Sequence, residues 1–92
     1  MGMQSMAPHP DVVDTELDGD ETVLLHLGTK RYFSLNTTGS AVWRAVKEGL
    51  TPAEMGRELQ RHYDVSAERA SQSVSALLHA LVEQGLVRRA DE

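Results

Sequence analysis

Four histidines, fourteen acids and a scatter of serines are the side chains of this chain that could do chemistry. Their spacing argues against catalysis. His9, His26, His62 and His79 fall on separate predicted elements and lack metal-ligand spacing. Asp18 and Asp20 flank Gly19, and acids around a turn glycine form turns rather than acid–base pairs. There is no nucleophile elbow around any serine and no glycine-rich phosphate loop. The chain has no cysteine, which removes disulfides, cysteine-held metals and thiol nucleophiles. No catalytic residue, metal or cofactor is predicted, and the chain reads as a non-enzyme.

Length and charge narrow the classes further. Ninety-two residues support one small domain, and 40% hydrophobic content fills one modest core. Asp11, Asp14, Glu16, Asp18, Asp20 and Glu21 all precede the first basic residue, Lys30, and the formal net charge is −5. That half should repel nucleic acid and anionic membranes. No apolar run approaches the ~20 residues of a bilayer span. The first ten residues lack the basic start and apolar run of a secretory signal. The expected organisation is a disordered tail over 1–10, a domain over 11–88 and a short tail over 89–92. A soluble, cytoplasmic protein is expected.

The elements must then position whatever site exists. Val12–Leu17 reads as a first strand, with Val13, Thr15 and Leu17 on one face. Asp18-Gly19-Asp20 is a hairpin turn signal. Thr22–Leu27 is a second strand, with Val23, Leu25 and Leu27 on one face; Gly28-Thr29 turns the chain again. Arg31–Leu35 is the third strand, with Phe33 and Leu35 on one face and Tyr32 and Ser34 on the other. A first helix starts near Thr37 or Thr38 and presents Gly39, Val42, Trp43 and Val46 at helical spacing, with Gly49 ending it. Gly39 on that face predicts close approach to another backbone. Thr51-Pro52-Ala53-Glu54 is a capping box that opens a second helix, with Met55, Leu59 and Tyr63 along one face. A third helix follows Ser66, carries Ala70, Val74, Leu77 and Leu81, and stops at Gly85. Leu86-Val87-Arg88 reads as a short strand or a tail contact. The fold class is α+β: an N-terminal three-stranded antiparallel sheet, then a three-helix bundle resembling a winged helix-turn-helix.

Two binding functions compete for that architecture, beside a third in which the acidic N-terminal half recognises a folded partner. A DNA-reading helix needs basic side chains for phosphates and bases. The third helix offers Arg69 against Glu68 and Glu83, so a winged-helix transcriptional regulator is the poorer reading. Small residues instead make room. Ala67, Ser71 and Ser75 lie beside Val74, Leu78 and Val82, which predicts a groove between this helix and the third strand. An extended peptide could pair with the strand's free edge and place alternate side chains in the groove. The candidate peptide-binding residues are Arg31, Tyr32, Phe33, Ser34 and Leu35 on the strand, and Ala67, Ser71, Val74, Ser75 and Leu78 on the helix.

The combination Arg31-Tyr32-Phe33-Ser34-Leu35-Asn36, Gly39 and Val42-Trp43 resembles the PqqD family. So do Val23-Leu24-Leu25, the Thr51–Tyr63 helix and Leu81-Val82-Glu83-Gln84-Gly85-Leu86. This family is the stand-alone form of the recognition element in pathways for ribosomally made, modified peptides. The resemblance runs from about Asp11 to Val87 and is most like the lasso-peptide branch. It implies a winged-helix-like fold that binds a precursor's leader as an added strand on the third strand, against the third helix. It also implies a leader peptidase and a cyclase as pathway partners; the charge pattern argues for neither nucleic acid nor membrane. The chain departs from the family's pattern twice, with Lys30 where glycine often precedes the Arg-Tyr pair and Ser73 where an acid often stands.

Overall fold

The first and last described strands pair in one small sheet. In the computed structural model, which describes residues 6–18 and 20–89, β1 (Met6–Pro8) pairs antiparallel with β5 (Val87–Arg89). The His9 amide extends the contact by donating to the Leu86 carbonyl at 2.9 Å. The expected tail over 1–10 is therefore corrected: Met6–His9 are part of the fold, and Met6 packs against the core. Arg89 likewise belongs to β5 rather than to a C-terminal tail. Leu86 and Val87 are almost fully buried, so this closure covers apolar surface that an unpaired C-terminus would expose.

The second sheet is the expected meander, ordered β2-β3-β4: β2 (Val12–Leu17), β3 (Glu21–His26) and β4 (Arg31–Leu35), all antiparallel. Leu17 pairs with Glu21, which leaves 18–20 as the connection. Its turn glycine, Gly19, lies outside the described residues; Asp20 has φ +64°. The β3–β4 loop ends on Lys30, also at φ +64°, whose amide donates to the His26 carbonyl at 2.7 Å. Glycine adopts this left-handed conformation without steric cost, and lysine does not.

Which face is buried follows from the register. Leu24 opposes Phe33, and Thr22 opposes Leu35, so these four residues share the face on the helices. Thr22, Leu24 and His26 are buried, while Val13, Leu17 and Leu27 are each 47% exposed. The two apolar rows Val13–Thr15–Leu17 and Val23–Leu25 thus lie on the outer face.

One helix packs on the inner face, and two more pack against it. α1 (Thr37–Glu48) is capped by Asn36, whose Oδ1 accepts from the Gly39 amide at 2.9 Å, one residue before the expected threonines. Asn caps at least as well as Thr, and the chain leaves β4 directly into the cap. Gly39 is tight for a different reason than expected: a Cβ there would stand 3.3 Å from the Leu35 side chain. Gly49 closes the helix at φ +79°. α2 (Pro52–His62) has the full capping box, with Thr51 Oγ1 accepting from the Glu54 amide and Glu54 Oε1 from the Thr51 amide. α3 (Ala67–Glu83) is capped by Ser66. Trp43, Leu24, Met55, Leu86, Val42, Val46 and Val74 form the centre of the core.

Candidate peptide-binding site

The strand half of the site is an unsatisfied edge. Among the described residues β4 pairs with β3 alone, so its other side carries no ladder. Alternate residues of a strand direct N–H and C=O to opposite neighbours, so about half the backbone groups of Arg31–Leu35 face that free side. Phe33 and Leu35 are half-buried and anchor the strand to the core. The Arg31 guanidinium lies over the Phe33 ring, 5.7 Å from its centroid. Tyr32 is 74% exposed and Ser34 is exposed, both on the outer face.

The helical half is brought together as one hollow of about 560 Å³. Ala67, Ser71, Val74, Ser75 and Leu78 all line it, as their i, i+4 spacing requires. Its opposite wall is α2, through Pro52, Ala53, Gly56, Arg57 and Gln60, and no β4 residue lines it. The groove predicted between α3 and the third strand is in this structure a groove between α3 and α2. Small residues on both walls keep it open; Gly56 has nothing within 4 Å of where a Cβ would stand. Val74 and Leu78 form an apolar floor, and Arg57 is its exposed cation.

Several contacts escape local sequence patterns. Asp14 Oδ2 accepts from the Trp43 indole at 2.9 Å and from Lys47 Nζ at 2.7 Å, tying β2 to α1. The Lys47 ammonium, aided by the indole N–H, holds the Asp14 carboxyl below its ordinary value, with partial burial opposing. His26 Nδ1 accepts from the Gly28 and Thr29 amides, and its ring lies 4.8 Å from that of His9. His62 and His79 are exposed and face Glu58 and Glu83 one helical turn away. A second hollow of about 460 Å³ lies between α1 and α2, with Arg44, Glu48, Glu58 and His62 around an apolar floor of Ala45, Leu50 and Leu59. No group of three or more metal-ligating side chains occurs among the described residues.

Fold and site together define a small α+β module with an open strand edge and a small-residue hollow, the form of a peptide-recognition element. Residues 21–87 match the family model described as coenzyme PQQ synthesis protein D (PqqD), and the chain belongs to that family. Two solved structures share the fold. TbiB1 in complex with the TbiA(beta) leader peptide is 33% identical, with a TM-score of 0.83 over 88% of this chain and 93% of that one. A lasso peptide synthetase B1 complexed with its leader peptide is 25% identical, with a TM-score of 0.82 over 90% of this chain and 96% of that one. No curated protein matches the chain.

Proposed function

We propose that this chain is a non-catalytic module that binds the leader of a ribosomally made precursor, of the lasso-peptide kind, and presents it to the leader peptidase of the same pathway. The carrying observation is the fold shared with two leader-peptide complexes over nearly the whole of each chain. The leader adds as an antiparallel strand to the open edge of β4, through the backbone of Tyr32, Phe33, Ser34 and Leu35. Backbone pairing gives affinity with little demand on sequence, and side-chain pockets give selectivity. Ala67, Ser71, Val74, Ser75 and Leu78 supply a pocket wall. A disordered leader loses entropy on binding, which places Kd in the nanomolar to micromolar range. The module works in the cytoplasm beside the enzymes it serves; no described helix is long and apolar enough to cross a membrane.

The two halves of the site are tested separately by titrating a labelled leader peptide. Ser34→Pro removes a donor from β4 and stiffens its backbone, and should weaken binding by about tenfold or more. Ser71→Arg and Ser75→Arg change exposed residues, so the fold should tolerate them while the hollow fills. A loss of affinity in these places leader side chains in the α2–α3 hollow. Unchanged affinity removes the hollow from the site and leaves the strand edge. A DNA duplex at low salt is the control: α3 has Arg69 as its single arginine or lysine, so no steeply salt-dependent complex should form.

A further inference from the structure

The two sheets meet at a pair of histidine rings. His9, in the connection from β1 to β2, and His26, the last residue of β3, lie with ring centroids 4.8 Å apart. Each ring is also a hydrogen-bond acceptor through Nδ1. His26 Nδ1 accepts from the Gly28 amide at 3.1 Å and the Thr29 amide at 3.3 Å, and His9 Nδ1 accepts from the Asp11 amide at 3.0 Å. A ring nitrogen that accepts carries no proton, so both rings are neutral in this fold, with the proton on Nε2. His26 is 6% exposed and is hemmed in: a Cβ at Gly28 would stand 3.1 Å from its Cε1, and one at Gly85 3.8 Å from its Nε2. Backbone bonds spread from the same point. The His9 amide donates to Leu86, the Val12 amide to the His9 carbonyl, and the Leu27 amide to the Asp11 carbonyl.

We propose that the ring pair is an acid-sensitive clasp: protonation of the two histidines releases the β3–β4 loop and the β1–β5 sheet together, while the helices stay folded. A proton on His26 Nδ1 sets a third donor against two amide donors, so both amide bonds are lost. A proton on His9 Nδ1 does the same to the Asp11 amide, and two charged rings in contact repel. An open clasp leaves both nitrogens to water. It therefore binds protons more readily than the closed one, and falling pH draws the equilibrium toward it. The surrounding charges add to this. Arg31 stands opposite His26 across the β3–β4 ladder, Lys30 precedes it, and Arg88 and Arg89 lie on β5. α1 carries Lys47, bound to Asp14, and α3 ends on Glu83, beside His79. Asp11 is the opposing charge, with its Oδ2 3.3 Å from that same Gly28 position. One carboxylate balances one charged ring but not two. The loop leads straight into Arg31, so acid also loosens one end of the edge that takes the leader; this last step rests on the strand-addition reading.

Amide protection from hydrogen exchange, read by NMR on the full chain from about pH 7.5 to about pH 5.5, tests this across the ordinary histidine range. Protection at His9, Leu27, Gly28 and Thr29 should fall together by about tenfold or more, while the amides of α2 hold. His26→Asn keeps an acceptor near the Nδ1 position without a group that titrates in this range, and should flatten the fall. His9→Asn, at a half-buried position, can still accept from the Asp11 amide and should make the fall shallower. Its slope decides the matter where His26→Asn does not fold. A wild type with flat protection overturns the clasp, as do variants that fall as steeply as the wild type. Loss at α2 in step with the loop overturns it too, because that is global unfolding. A labelled leader peptide should bind about threefold or more weakly at the acid end. Equal affinity at both ends removes the coupling to the β4 edge. A leader that binds at neither removes strand addition, and the exchange data still decide the clasp.

Discussion

The two faces of the three-stranded sheet hold comparable apolar side chains, yet one is packed and the other faces outward. The inner face carries Val12, Leu24, Phe33 and Leu35 together with Asp14, Glu16, Thr22, His26 and Arg31. The outer face carries Val13, Leu17, Val23, Leu25 and Tyr32, with Thr15, Glu21 and Ser34. By hydrophobicity alone the outer face is the better core. The inner face is chosen because its polar groups find partners: Asp14 meets the buried Trp43 indole, and His26 accepts two loop amides. A polar group can be buried where it is bonded, and an apolar row stays exposed where no element covers it. The same sheet thus holds the fold with one side and leaves the other uncovered among the described residues.

The sharpest contrast lies between neighbours. Leu24 is fully buried on the inner face, and Leu24→Ala should cost about 3 kcal/mol in urea unfolding, from lost burial plus the cavity left behind. Leu25, the next residue, faces outward, and Leu25→Ala should cost under about 1 kcal/mol. Equal losses would mean that the outer face is covered in solution.

Asp14 gives the next largest effect. Asp14→Ala leaves the Trp43 N–H, in a side chain 2% exposed, without its acceptor, at a cost of about 1–3 kcal/mol. The Lys47 contact adds less, because an ion pair this exposed is worth at most about 1 kcal/mol. The pH dependence has a definite sign. The Asp14 value is lowered in the folded state, so its stabilisation is fully present above the unfolded carboxylate value near 4 and is lost as pH falls through the lower folded value. Unfolding midpoints measured from pH 6 downward should converge between wild type and Asp14→Ala in that acid window. Asp14→Asn, which can still accept from the indole, should lie between them.

These contrasts also explain what the sequence made legible. Thr51 with Glu54, Ser66, Gly49 and Gly85 were readable because a cap is settled within one helical turn. The Asn36 cap was not, because three cap-forming residues stand in a row and the path of β4 decides among them. Met6–Pro8 reads as part of a disordered tail; its partner Val87–Arg89 is distant in sequence, beyond any local pattern. The face of β2 and β3 was ambiguous because both of their faces alternate, and a one-residue shift exchanges them. For the site, helical spacing sufficed to group Ala67, Ser71, Val74, Ser75 and Leu78. It did not tell that α2 forms the other wall, because that depends on how two helices pack.

The smallest effect probes the device that keeps the two faces apart. The β3–β4 register sets Leu24 against Phe33 and Leu25 against Tyr32, and Lys30 closes the loop that fixes it. At φ +64° lysine bears a steric cost of about 1–2 kcal/mol. Glycine removes that cost and returns about 0.5–1 kcal/mol through its freer unfolded chain. Lys30→Gly should therefore stabilise the domain by about 0.5 kcal/mol, read as a higher urea midpoint with an unchanged slope. Lys30→Val, β-branched and stiffer in this conformation, should move the midpoint the other way. If the glycine variant is instead less stable, the loop geometry is not what holds the register. The polar anchors Asp14 and His26 would then carry the choice of face by themselves.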